Sequence, residues 1–202
     1  MGRFRHARTG IVLHLVPGGP GLPSFLVGQG PVRQEEWDRV GGRDRRLVRD
    51  PDLPVSGVSW LSATDWLARA GDGLRLPREA EWEHACRAGS AGAWFFGDAF
   101  DPAWCWCLEN AGGRAHPLAE HAGRTNAFGL IDVAGNVSEW CQEERVAPAE
   151  GGDYWQEWDP GRVHRGGSFD QPASRARSAA QGGCAPDKAY ADLGLRVFRS
   201  LE

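Results

Sequence analysis

Apolar residues recur along this chain in different rhythms, and each rhythm predicts a different element. Residues 10–16, Gly-Ile-Val-Leu-His-Leu-Val, read as a strand closed by the turn Pro17-Gly18-Gly19-Pro20-Gly21, and residues 25–28 read as a second. A helical period takes over in residues 34–40, where Trp37 and Val40 lie three apart before Gly41-Gly42. It is clearer in residues 60–70, where Ala63, Trp66, Leu67 and Ala70 share one stripe. Residues 78–87 predict a third helix: Glu79 and Glu81 suit its positive end, Arg87 its negative end, and Trp82, Ala85 and Cys86 share a face before Gly89. Residues 41–54 form a polar loop. After residue 90 no helical pattern exceeds two turns. Short apolar pieces at 94–97, 104–107, 128–131 and 137–140 lie between Gly, Pro, Asn and Asp turns. Helices early and irregular β late make an α+β pattern.

Residues 163–201 begin and end like strands, at Arg165-Gly166-Gly167-Ser168-Phe169 and at Leu193-Gly194-Leu195-Arg196-Val197-Phe198. Residues 170–192 follow neither period. A loop longer than about 15 residues inside a compact domain is functional or disordered, and the flanking strands and four arginines favour an ordered one. Arg165, Arg175, Arg177 and Arg196 either bind an anionic ligand or tie irregular backbone to the core.

Composition narrows the class. The 202 residues are 41% hydrophobic and 25% charged, which suits one soluble domain. Twenty-eight Gly, 13 Pro and 10 Trp against one Met describe a turn-rich fold anchored by large aromatics. The net charge of −4 divides unevenly: residues 1–50 hold nine basic and five acidic residues, and the remainder fourteen and twenty-two. In the basic part Arg43, Arg45, Arg46 and Arg49 alternate with Asp44 and Asp50, a solvated loop rather than a nucleic-acid surface. No apolar run approaches 18 residues and no signal segment is evident, so the expectation is a cytoplasmic protein without a membrane segment. Five cysteines, with only Cys105 and Cys107 close together, match neither zinc nor C-x-x-C spacing and read as buried thiols in a reducing compartment. The six histidines lack HExxH spacing, and no hydrolase, P-loop or dinucleotide motif occurs.

Residues 132–139, Asp-Val-Ala-Gly-Asn-Val-Ser-Glu, are the strongest local site. Side chains of Asp132 and Glu139 with carbonyls of Gly135 and Val137 offer the oxygen set that calcium takes. The same residues also read as an Asx turn with a local cap.

Residues 74–83, 126–140, 165–169 and 193–197 together resemble the formylglycine-generating-enzyme family of sulfatase-modifying domains, in order and over about residues 54–198, with weaker likeness in residues 28–40. The resemblance implies a single domain over residues 1–202 of α+β, C-type-lectin-like type. Two to three short helices, small antiparallel sheets and much irregular loop are expected. It implies a structural calcium at Asp132, Gly135, Val137 and Glu139; a second calcium site starting at Asn110 lacks a matching downstream carboxylate. Members that oxidise a cysteine to formylglycine hold copper on two cysteines early in the C-terminal loop. Residues 169–180 contain none and Cys184 lies further along, so no copper is expected. Sulfoxide-synthase relatives carry iron on a separate histidine-bearing domain, and none is expected within these 202 residues.

The same scaffold occurs in variable proteins of diversity-generating retroelements, whose final segment carries diversified ligand contacts. The resemblance places these at Phe169, Asp170, Gln171, Pro172, Ser174, Ala176, Gln181, Gly182, Gly183, Lys188, Tyr190 and Asp192, within a display segment 163–198. The expected function is non-catalytic binding of a protein ligand, with no nucleic-acid partner. The alternative is a divergent formylglycine-generating oxidoreductase acting on a peptide cysteine.

Overall fold

The computed structural model describes residues 2–145 and 161–201. Among them, nine strands and three α-helices follow the order β1 (Arg3–Arg5), β2 (Val12–Val16), β3 (Phe25–Gly28), α1 (Gln34–Asp38), α2 (Trp60–Ala70), β4 (Leu74–Arg75), α3 (Glu79–Arg87), β5 (Ser138–Arg145), β6 (Gly161–Arg165), β7 (Gln181–Cys184), β8 (Leu193–Gly194) and β9 (Phe198–Ser200). Single 3-10 turns cover Leu118–His121 and Ala173–Ala176. Among the described residues no helix is long and apolar enough to cross a membrane.

Two sheets carry the fold. The larger runs β1-β2-β3-β9-β4 and is antiparallel throughout; the smaller runs β7-β6-β5-β8, with β5 and β8 parallel. β9 lies between β3 and β4, pairing Val27 with Phe198 and Leu74 with Arg199. Residues 198–200 are thereby locked onto the β2-β3 hairpin.

α2 forms where the stripe predicts it. The Ser59 hydroxyl accepts from the Ser62 N–H and so caps the free donors of the first turn. Ala63, Trp66, Leu67 and Ala70 are all buried. Trp66 stacks on Trp37 at 5.0 Å and donates its indole N–H to the Trp37 carbonyl, so its polar edge is satisfied inside the core. α3 begins where the Glu81 carboxylate accepts from the Arg78 N–H at 2.8 Å while pairing with Arg75. Trp82, Ala85 and Cys86 bury its inner face against Leu130, Val133 and Cys141.

Two expectations differ from this architecture. The apolar pieces at 94–97, 104–107 and 128–131 join no strand; Trp94, Cys105 and Cys107 instead build a separate small cluster with Ala173 and Ala176. Gln181–Cys184 is a strand although its central residues are Gly182-Gly183.

Candidate functional site

The 132–139 loop is shaped by short polar side chains. Asp132 (φ 50°) and Asn136 (φ 64°) take the left-handed conformation that Asp and Asn tolerate best after glycine. Gly135 (φ 79°) lets the backbone press on Trp106, whose carbonyl oxygen a Cβ would meet at 2.1 Å. The Asn136 amide brackets His116: Oδ1 accepts from the His116 N–H, and Nδ2 donates to the His116 carbonyl and to Asp132 Oδ2. Asp132 Oδ1 lies 2.7 Å from His121 Nδ1. Trp106 stacks on the rings of His116 and His121 at 3.8 and 4.7 Å.

Glu139 is the other pole of the loop. Arg196 donates Nε to both carboxylate oxygens (3.0 and 3.1 Å) and Nη2 to Oε1 (2.8 Å), while the Trp82 indole donates to Oε2 (2.6 Å). The other Arg196 hydrogens go to the carbonyls of Gly28, Gln29, Ile131 and Asp132. Glu139 and Arg196 are each 1% exposed.

A calcium ion needs six to eight free oxygen donors. Both carboxylate groups expected to bind it are already engaged, and the Arg196 guanidinium supplies the compensating charge. As they stand, Asp132, Gly135, Val137 and Glu139 do not fit calcium: the ion would have to expel a buried guanidinium. Asn110 is likewise committed, accepting from the Cys107 N–H and donating to the Pro102 and Cys105 carbonyls. Among the described residues no group of three His, Cys, Asp or Glu side chains is placed to hold a metal.

The C-terminal segment is held at several points. Arg165 donates to the carbonyls of Ser178, Ala179 and Ala180 and pairs with Glu83. Backbone bonds join Leu108 to Gln171, and the Glu109 carboxylate accepts from the Ala173 N–H. Of the four arginines, Arg165 and Arg196 therefore tie backbone; Arg177 lies over the Trp94 ring, and Arg175 is exposed.

Most of the expected contact positions are accessible. Asp170, Pro172, Ser174, Gln181, Lys188 and Tyr190 are exposed; Phe169, Gln171, Gly182 and Gly183 are half-buried. Ala176 is corrected: at 1% exposure it packs with Trp94 and Cys105 and presents nothing to a ligand. Asp192 also serves the frame, because its carboxylate accepts from the Ser168 hydroxyl and its carbonyl from the Ser138 N–H.

Gln171, Gln181, Gly182 and Gly183 line one cleft of about 230 Å³, together with Arg145 and His164. Lys188 and Tyr190 are not among its lining residues. Their loop borders the start of α2, where Gly57 donates to the Tyr190 carbonyl and Leu61 to that of Pro186. A larger cleft of about 470 Å³, beside Gln29 and Leu118, includes none of the expected positions. Sequence reasoning missed Arg145, which no motif marks, and His164, which directly precedes the Arg165–Phe169 motif but was not singled out.

Among the described residues no cysteine lines the smaller cleft. Burial pushes the Cys86 thiol up to about 12 and raises Cys141; Cys105 is raised by its hydrogen bond with Cys107 and then by burial. Thiols held protonated are poor nucleophiles and poor metal ligands.

The family described as the sulfatase-modifying factor enzyme 1-like domain matches residues 10–201. The chain belongs to this family. The formylglycine-generating enzyme of Streptomyces coelicolor is 35% identical, over 95% of this chain and 68% of that protein. The formylglycine-generating enzyme of Bos taurus is 33% identical over 82% of this chain, which spans about half (49%) of the bovine protein. A second Bos taurus protein, named inactive C-alpha-formylglycine-generating enzyme 2, is 31% identical over 82% of this chain and 56% of its own length. Among solved structures, Treponema denticola variable protein 1 superposes with a TM-score of 0.78 at 21% identity over 98% of both chains. The chain thus has the expected α+β, C-type-lectin-like fold.

Proposed function

We propose that this member of the family is a non-catalytic binding protein, which presents residues 169–192 to a protein ligand from a fixed frame. The observation that carries the reading is the composition of the cleft: Gln171, Gln181 and glycines stand there, and residues 169–180 contain no cysteine. Copper oxidation chemistry requires soft thiolate ligands, which amides and carboxylates do not replace. The inactive bovine relative, at 31% identity, is a precedent by name for a member without the activity. The likeness to a variable protein adds the idea of a diversified segment, which a near-copy of the 3′ coding end beside a reverse-transcriptase gene would support.

The second reading, a divergent formylglycine-generating oxidoreductase, draws on the names of the relatives at 35% and 33% identity. The purified chain incubated with copper, oxygen and a cysteine peptide separates the two. No formylglycine is expected. Turnover would overturn the binding reading, and its loss in Cys184→Ala would identify that thiol as a participant.

A further inference from the structure

The cleft beside β6 and β7 has a charge character that the frame does not require. We infer that it is a binding site for an oxyanion, a carboxylate or phosphate group on the ligand, held by the guanidinium groups of Arg145 and Arg175. This rests on the binding reading above and adds the chemistry of the bound group.

Arg145 ends β5, Arg175 lies in the 3-10 turn Ala173–Ala176, and both line the cleft; among the described residues none that lines it is acidic. Among the described residues neither forms an ion pair, whereas the frame arginines Arg165 and Arg196 are paired with Glu83 and Glu139. Arg145 bears electrostatically on Glu79, but that carboxylate pairs with Arg165. Arg165 also lines the cleft, and its buried Nε has no hydrogen-bond partner among the described residues. Two cations on one cleft without a counter-charge among the described residues are a match for an oxyanion, which guanidinium forks bind in bidentate geometry.

The neighbouring groups fit that use. His164 is pushed down to about 4, by burial first and then by Arg145 and Arg175, so both arginines act on its ring. At neutral pH the ring is uncharged and offers one N–H. Gly182 and Gly183 keep the space open: a Cβ at 182 would stand 2.2 Å from the His164 ring, and one at 183 would stand 2.4 Å from Arg145 Cδ. Glycine at these positions is a matter of close approach, because neither has a positive φ.

Titration calorimetry of the full chain at constant ionic strength tests this, with inorganic phosphate in one arm and acetate in the other. Saturable binding of at least one probe is expected, and which one binds identifies the group. Arg175→Gln, on an exposed residue, and Arg145→Gln should each weaken binding about ten- to a hundredfold. Arg3→Gln, in the larger cleft, should leave it unchanged. Absence of saturable binding, or binding that persists in both cleft variants, overturns the inference. Peptide turnover would overturn the non-catalytic reading while leaving anion binding standing, so the two failures are distinguishable.

Discussion

Arg196 distributes its donors over Glu139 and four backbone carbonyls, and it sits where a cation was expected. Removing one partner of a buried pair leaves the other charge uncompensated, at a cost of about 3–5 kcal/mol. Arg196→Met should therefore lose roughly that much stability in urea unfolding, with Glu139 left to the Trp82 indole alone. The same network predicts that the parent melts at one temperature in calcium or in chelator. A calcium ion at a hundred times its Kd would add about 2.7 kcal/mol, several degrees at this size, so a shift of that order would show that the guanidinium yields. His164 gives a pH dependence. Its folded value of about 4 lies below the 6.5 of the unfolded chain, so between these pH values the unfolded state takes up the proton. Stability is full above about 6.5 and declines as the pH falls towards 4. Burial lowers His6 and His14 in the same sense, while the raised carboxyls of Glu36 and Glu79 act against it. The urea midpoint should fall from pH 7 to pH 5, and fall less in His164→Gln.

Elements with a strong period were legible in the sequence, and those built by tertiary approach were not. α2 runs over the residues the apolar stripe marks, and its cap is local; Ser59→Ala should cost about 1 kcal/mol of global stability by denaturant unfolding. β7 carries no such mark. Glycines weaken a strand, and Gly182-Gly183 signals a turn; here they pair with His164 and Val163 because a larger residue would collide with His164 or Arg145. The aromatic pieces at 94–96 and 104–106 are apolar enough for strands, yet Trp94 stacks on Phe96 and Phe96 on Trp104, so they satisfy one another without a ladder.

At the level of the molecule, ordered motifs made the fold class legible, since each marks a piece of frame: Glu81 at the α3 cap, Glu139 and Arg196 in one ion pair, Arg165 under the display segment. The cleft was only half legible. Gln171 and residues 181–183 were expected as ligand contacts, but the aperiodic segment gave no sign that Ala176 turns inward or that Asp192 holds Ser168. Nor could local sequence show that Arg145 and His164, from two neighbouring strands, line the same cleft.

The position of β9 between β3 and β4 has a consequence for synthesis. All four residues of β3 are buried, and one edge of that strand is closed only by residues 198–200. At about 5–20 residues per second, the ribosome takes roughly 10–30 s to deliver β9 after β3. Throughout that interval the nascent chain carries an apolar strand with an open edge, which makes this hairpin the segment that a holdase chaperone would need to shield.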